Sequence, residues 1–285
     1  MTMGALYSEY GLSEDTQDFV GHAMALKTED SYKDQPAVET VREIRLYAES
    51  LRAFGGSPFL YPEYGLSALP ESFSRYASLA GGIFMLRCKF KGIIMHEGKA
   101  VGIEDSDGKA ATAKAVIGDP TYFPEDKRKA NGEIIRTICI LAQKPTCIVE
   151  FDKTESAQII LPQKQLKRSN DVYISILSSQ HKVVPKGKYL AIVSTRVETK
   201  EPEKEVEPAL ALLGKMVCKF HHRVPFYEPA SDGSEDKCFL TASYDATSHF
   251  ESTMSDALDV YKRVTGKEFN LDLDEGAAAG GDGES

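Results

Sequence analysis

His221 and His222 are the first residues whose type could do chemistry, since clustered imidazoles are common zinc ligands. Neighbouring side chains on an extended segment point to opposite faces, and no third ligand stands at a recognisable spacing. The pair therefore reads as non-ligating. His249 lies near Asp245 and Glu251, close enough in sequence for a charge relay. A relay needs a nucleophile beside the base, and none is near, so His249 reads as a hydrogen-bonded structural residue. Glu201, Glu203 and Glu205 could pair carboxylates for acid–base work, but such a run reads more simply as a solvated, helix-favouring face. The five cysteines, Cys88, Cys139, Cys147, Cys218 and Cys238, stand singly and widely spaced. An odd count without a Cys-x-x-Cys pair points to reduced, mostly buried thiols and a cytosolic setting. No Gly-x-Gly-x-x-Gly turn, P-loop, His-Glu-x-x-His or Gly-x-Ser-x-Gly is present. The expectation is a protein that is not an enzyme and takes no cofactor or metal.

Bulk properties agree with a binding role. The 285 residues carry a net charge of −9, which argues against nucleic acid or an anionic membrane as main partner. Hydrophobic residues at 42% and charged residues at 27% suit one large or two smaller globular domains. No run approaches the roughly 18 apolar residues that span a bilayer. The first ten residues lack the basic and apolar regions of a signal peptide. A cytoplasmic protein without stable membrane insertion is expected.

The elements that must position any site begin with helices. Ser13 reads as an N-cap, with Glu14 and Asp15 in the first turn and Phe19, Val20, Ala23, Met24 and Leu26 as the apolar face. A second helix opens near Pro36 with Val38, Val41, Ile44, Ala48 and Leu51 at helical spacing, and Gly55-Gly56-Ser57-Pro58 ends it. Phe59–Gly65 reads as an aromatic loop, followed by a short helix from about Pro70 to Ala80 and then Gly81-Gly82. Strands are predicted over 83–87, 93–96, 100–104, 110–117, 134–142, 147–151, 158–161, 172–177 and 189–194, with turns at Glu97-Gly98 and Asp107-Gly108. A helix between Pro202 and Gly214 should have a separate first turn because Pro208 interrupts it. The last helix is predicted from a Ser248-x-x-Glu251 capping box, with Phe250, Met254, Ala257, Leu258 and Tyr261 inward and Gly266 as its stop. The acidic, glycine- and alanine-rich stretch 272–285 reads as disordered.

Several ordered stretches carry a resemblance to a known family. They are Leu60-Tyr61-Pro62-x-Tyr64-Gly65-Leu66-x-x-Leu69-Pro70, then Phe73-x-Arg75, Gly81-Gly82 and Met85-Leu86. Asp34-Gln35-Pro36, Glu39-Thr40-Val41 and Leu46-Tyr47-x-Glu49-Ser50-Leu51 precede them. Val197 to Leu210 and Ser243-Tyr-Asp-Ala-Thr-x-His249-Phe-Glu251 follow. On these residues the chain resembles the Rab GDP-dissociation inhibitors, the family shared with Rab escort proteins. The resemblance implies a mixed α/β (α+β) fold. A large domain like that of FAD-linked reductases, without redox activity, would occupy residues 59–271. A partial helical, prenyl-binding domain would occupy 1–58, ahead of the 272–285 tail. It implies a monomer that binds GDP-bound prenylated Rab GTPases, slows GDP release and extracts them from membranes during vesicle transport.

Site residues follow by position. The Rab-binding platform of the family falls on Tyr64, Ala68, Glu71, Arg75, Ile83 and Met85, and a mobile Rab-contacting loop on Leu60 and Tyr61. A geranylgeranyl slot could be lined by Phe19, Ala23, Met24, Val41, Ile44 and Ala48. An apolar stripe at helical spacing is also what any helical core looks like. Ala68, Glu71 and Ile83 stand where the family usually has glutamate, glutamine and threonine, which would weaken Rab binding or shift its specificity. The family's opening βαβ unit has no counterpart here, so a fragment or truncated paralogue is expected, with sheet edges left unpaired. The alternatives are a Rab escort protein and an inactive truncated paralogue. A flavoenzyme would need the missing glycine-rich turn.

Overall fold

Residues 172–177 form an apolar run broken only by Ser175, with Val172, Ile174 and Ile176 wholly buried on one face and Tyr173 and Leu177 buried on the other. That period of two organises the larger part of the molecule. The computed structural model describes residues 1–54, 59–148 and 155–270. They divide into two units. The first comprises Met1–Phe84, Gly132–Val224 and Asp245–His249, and the second Met85–Asn131, Pro225–Tyr244 and Phe250 onward. The helices are α1 Met3–Glu9, α2 Glu14–Asp18, α3 Ala37–Phe54, α4 Ala68–Leu79, α5 Pro202–Glu205, α6 Glu207–Leu212 and α7 Glu251–Thr265. The strands are β1 Phe90–His96, β2 Lys99–Asp105, β3 Ala110–Thr112, β4 Val116–Gly118, β5 Arg128–Leu141, β6 Ser156–Leu161, β7 Val172–Leu177, β8 Tyr189–Arg196, β9 Met216–Pro229 and β10 Cys238–Leu240.

In the first unit a five-stranded sheet runs in the order β6-β7-β8-β5-β9, with β6–β7, β7–β8 and β8–β5 antiparallel. Ile135, Cys139 and Leu141 of β5 share a face with Val172, Ile174 and Ile176 of β7 and Ala191 and Val193 of β8. Val206, Ala209, Leu210 and Leu213 pack into the same core. As expected, the chain breaks between α5 and α6, where Pro208 sits in the first turn of α6. Glu205 fastens this corner. Its carboxylate accepts the Thr199 N–H at 2.7 Å and pairs with Arg168 at 2.8 Å.

The amino-terminal helices form their own small core of Met3, Tyr7, Tyr32 and Ala37, with Val20 and Ile44 against it. Ser13 caps α2 as expected, its Oγ accepting the Thr16 N–H. The helix then widens into a π-turn, Phe19–Met24, and this turn rotates the apolar face. Gly21, His22 and Ala25 are buried, whereas Phe19 points outward. Gly21 is required there, because a Cβ would stand 1.9 Å from the Tyr32 hydroxyl. On α3 the buried positions are Ala37 and Thr40, with Ile44 half-buried, while Val38, Val41 and Ala48 are exposed. The inward stripe therefore lies one residue away from the predicted one.

The second unit holds an antiparallel sheet in the order β1-β2-β3 and a parallel pair, β4 with β10. The β1–β2 hairpin closes through Glu97 (φ +49°) and Gly98 (φ +76°), the two left-handed residues that a two-residue turn needs. Ala100, Phe123, Cys238 and Leu240 form its core. Helix α7 is tied to the end of β10, with Asp256 accepting the Ala242 N–H and Arg263 donating to the Leu240 carbonyl. Gly266 closes the helix in the left-handed region, as predicted.

Several expectations are corrected. Residues 83–87 form no strand, having no ladder partner among the described residues. The stretch 110–117 splits into β3 and β4, which join different sheets. Cys147 lies in a turn, and 149–151, where the strand reading continues, fall outside the described residues, as do 55–58 and the 272–285 tail. The long strand β9 was not expected. Phe250, not Ser248, stands at the N-cap of α7, with no side-chain cap bond, and the Ser248 hydroxyl accepts from Gln158. Val260 is the buried residue of α7, while Met254 and Tyr261 are exposed.

Candidate functional site

The segment 60–84 of the first unit departs from the rule that helices bury a stripe. No residue of α4 is buried. Phe73, Tyr76 and Leu79, spaced three apart, form one exposed apolar stripe, each more than 70% accessible. Leu60, Tyr64, Leu66, Ile83 and Phe84 are exposed as well. An apolar surface this dense in one short stretch makes the segment a candidate docking face. Arg75 sits beside the stripe, exposed, with no carboxylate partner among the described residues. Glu71 is exposed in the first turn of α4, and Ala68 is half-buried. In the second unit Met85 and Leu86 are exposed.

Ahead of α4, the aromatic loop is attached to the turn between β7 and β8. The Tyr64 N–H donates to the His181 carbonyl at 2.9 Å. The Tyr61 ring meets the His181 imidazole edge-on, with centroids 5.5 Å apart. Glu63 pairs with Lys182. Tyr61 is half-buried and Leu60 exposed. The residues expected to line a lipid slot are split. Phe19, Val41 and Ala48 are exposed, while Ala23, Met24 and Ile44 are half-buried, and the π-turn packs against α3.

Behind the π-turn lies a charged network that no motif announces. His22 is buried, and its Nδ1 lies 2.6 Å from Asp171 Oδ2, a carboxylate with no exposed surface. Its Nε2 faces Asp30 at 3.5 Å. Asp18, His22 and Asp30 bring their polar atoms within 4.8 Å of one another, which could suggest a metal. Two ammonium groups already occupy the space. Lys33 is 3.1 Å from Asp18 and 2.7 Å from Asp30, and Lys164 stands 3.5 and 3.4 Å from the same pair. The cluster is thus a neutralised ion-pair network that joins the helical layer to the loop before β7.

Burial alone would lower the pKa of His22, but the hydrogen bond and charge of Asp171, helped by Asp30, outweigh it and raise the pKa. Asp30, despite its own burial, is held far below the carboxylate range by Lys33, Gln163 and Lys164. A raised folded-state pKa means that the stabilisation is complete below the unfolded value of about 6.5 and fades as pH rises through the folded value. Unfolding free energy measured in urea should therefore fall from pH 6.5 upward in the wild-type chain, and His22→Gln should flatten that slope. Equal slopes in both proteins would sink the assignment.

The other histidines behave differently. Nδ1 of His221 lies 2.9 Å from the Thr137 hydroxyl, and His222 is exposed on the other face, as alternation requires. The ring nitrogens of His249 are buried without a hydrogen-bond partner among the described residues, contrary to the expected bonded state. Burial lowers the pKa of that imidazole and favours its neutral form. Cys139 and Cys238 are buried, whereas Cys88 and Cys147 are exposed. Burial pushes the Cys139 thiol up to about 11. No helix of the described residues is long and apolar enough to cross a membrane.

A family model described as GDP dissociation inhibitor matches residues 1–275. The chain is 46% identical to a guanosine nucleotide diphosphate dissociation inhibitor of Arabidopsis thaliana, covering 98% of this chain and 62% of that protein. It is 44% identical to Rab GDP dissociation inhibitor beta of Canis lupus familiaris, covering 95% and 60%. Among solved structures, the Rab GDI of Plasmodium falciparum superposes with a TM-score of 0.90 at 43% identity, over 95% of this chain and 61% of that one. The chain thus spans about 60% of the length of these relatives.

Proposed function

This chain belongs to the GDP dissociation inhibitor family, and from that premise we propose that it binds prenylated Rab GTPases in their GDP-bound state, slows GDP release and lifts them from membranes. The exposed stripe of α4, Phe73, Tyr76 and Leu79 beside Arg75, which has no carboxylate partner among the described residues, carries the reading. These side chains are exposed among the described residues, and a partner of matching shape would bury them. Tyr64, Ala68, Glu71, Arg75, Ile83 and Met85 are the proposed contacts, with Leu60 and Tyr61 on the adjoining loop.

Each CH₂ of a lipid chain gains about 0.8 kcal/mol on leaving water, so a carrier must offer an apolar surface of comparable quality. Phe19, Val41 and Ala48 expose such surface, and Ala23, Met24 and Ile44 are half-buried. These six residues are the proposed geranylgeranyl contacts. The same reading gives a cytoplasmic monomer that performs no bond-making chemistry and uses no cofactor. The test is extraction of GDP-loaded, geranylgeranylated Rab from liposomes by the purified chain. Extraction of that form, with little effect on GTP-loaded or unprenylated Rab, is expected. Failure to bind or extract any form would overturn the proposal.

A further inference from the structure

Tyr64 adopts a left-handed backbone conformation (φ +68°), and so does Lys182 (φ +57°). Bulky residues rarely occupy this region, and they stay there only where the surroundings over-determine them. Here the surroundings are the Ser179–Val183 turn. Its His181 carbonyl accepts the Tyr64 N–H at 2.9 Å. The Lys182 ammonium lies 4.8 Å from the centroid of the Tyr64 ring and also pairs with Glu63. The His181 imidazole meets Tyr61, and Val183 stands 3.6 Å from where a Cβ on Gly65 would lie. The turn is itself fixed. Ser178 Oγ accepts the Gln180 N–H at 3.2 Å and donates to Glu155 at 2.5 Å, and the Lys182 N–H reaches the Ser179 carbonyl at 3.0 Å.

Tyr64 and Lys182 are both exposed, and exposed ion pairs add little to fold stability. Lys182 closes the Ser179–His181 turn from the left-handed region, which repays its conformation locally, but the strain at Tyr64 has no such return in folding. It does have one in binding, because an aromatic side chain ordered in advance loses less entropy when a partner docks.

We propose that the Ser179–Val183 turn is the positioning device of the 60–66 loop, and that Lys182 holds the Tyr64 ring in the orientation that meets the GTPase. The proposal rests on Tyr64 being a partner contact. Lys182 acts through Tyr64, which makes it a positioning residue.

The affinity for GDP-loaded, geranylgeranylated Rab is measured with the full chain, with Lys182→Met, Lys182→Arg and Tyr64→Ala, and with the Lys182→Met/Tyr64→Ala double variant. Lys182→Met is expected to weaken binding about fivefold, the scale of an exposed cation–aromatic contact. Lys182→Arg should restore it. The double variant should bind no more weakly than Tyr64→Ala alone, since the coupling vanishes with the ring. Losses that add, or a Lys182→Met protein that binds like wild type, would overturn the proposal.

Amide hydrogen exchange at Tyr64 gives a readout that needs no partner. Faster exchange in Lys182→Met supports the clamp, and unchanged exchange refutes it. Should the wild-type chain bind no Rab, the functional reading fails while the exchange data still decide the clamp.

Discussion

Asp171→Ala should destabilise the chain by about 3–5 kcal/mol, the range for removing one partner of a buried charge pair. Asp171 has two oxygens and both are committed. Oδ2 meets His22 Nδ1 at 2.6 Å, and Oδ1 accepts the Gln163 N–H at 2.8 Å. Alanine would leave the buried His22 Nδ1 and the Gln163 N–H without this acceptor, with only the longer 3.5 Å contact from His22 Nε2 to Asp30 remaining. The expected loss is a large share of the roughly 5–15 kcal/mol that holds a domain together. Asp171→Asn keeps an acceptor while removing the charge, so its cost should be smaller. Urea unfolding at pH 6.5 compares the three proteins. A cost below about 1 kcal/mol for the alanine variant would place the pair with exposed ion pairs and refute this account.

The pair also marks where reading the sequence stopped. His22 and Asp171 are 149 residues apart, and neither sits in a motif. Only the fold brings them together, so no spacing could reveal them. Strand β7, by contrast, was legible to the residue, because its short β-branched apolar run is bounded by polar turns. The interruption at Pro208 and the stop at Gly266 were legible too, since both follow from backbone chemistry rather than packing.

The inward face of α3 was not legible. Thr40 is buried and Val41 is exposed, which reverses what their hydropathy suggests, and a one-residue rotation of the stripe results. The long strand β9 escaped notice because Lys219, His222 and Arg223 interrupt its apolar pattern at the edge of the sheet. In the candidate site, the resemblance pointed to Arg75, whereas the exposed stripe of Phe73, Tyr76 and Leu79 is visible only in the fold. The Lys182 turn went unseen, because its role depends on a neighbour more than a hundred residues earlier in the chain.

Exposure across the whole of α4 leads to the second large prediction. Arg75→Ala should weaken binding of GDP-loaded, prenylated Rab by about 2 kcal/mol, roughly 30-fold, if the guanidinium is a central contact. Phe73→Ala, in the exposed stripe of the same helix, should act in the same direction. Neither change can open a cavity, because α4 buries no side chain. Thermal stability should therefore stay within about 0.5 kcal/mol of wild type, the usual span for surface substitutions. Arg75→Lys should rescue only part of the loss, since an ammonium cannot reproduce the planar, two-pronged contact of a guanidinium. The two measurements together separate docking from folding. A loss of affinity with unchanged melting identifies α4 as a contact surface, whereas unchanged affinity in both alanine variants would remove α4 from the interface. A fall in melting temperature would mean that the stripe is covered within the molecule and serves the fold.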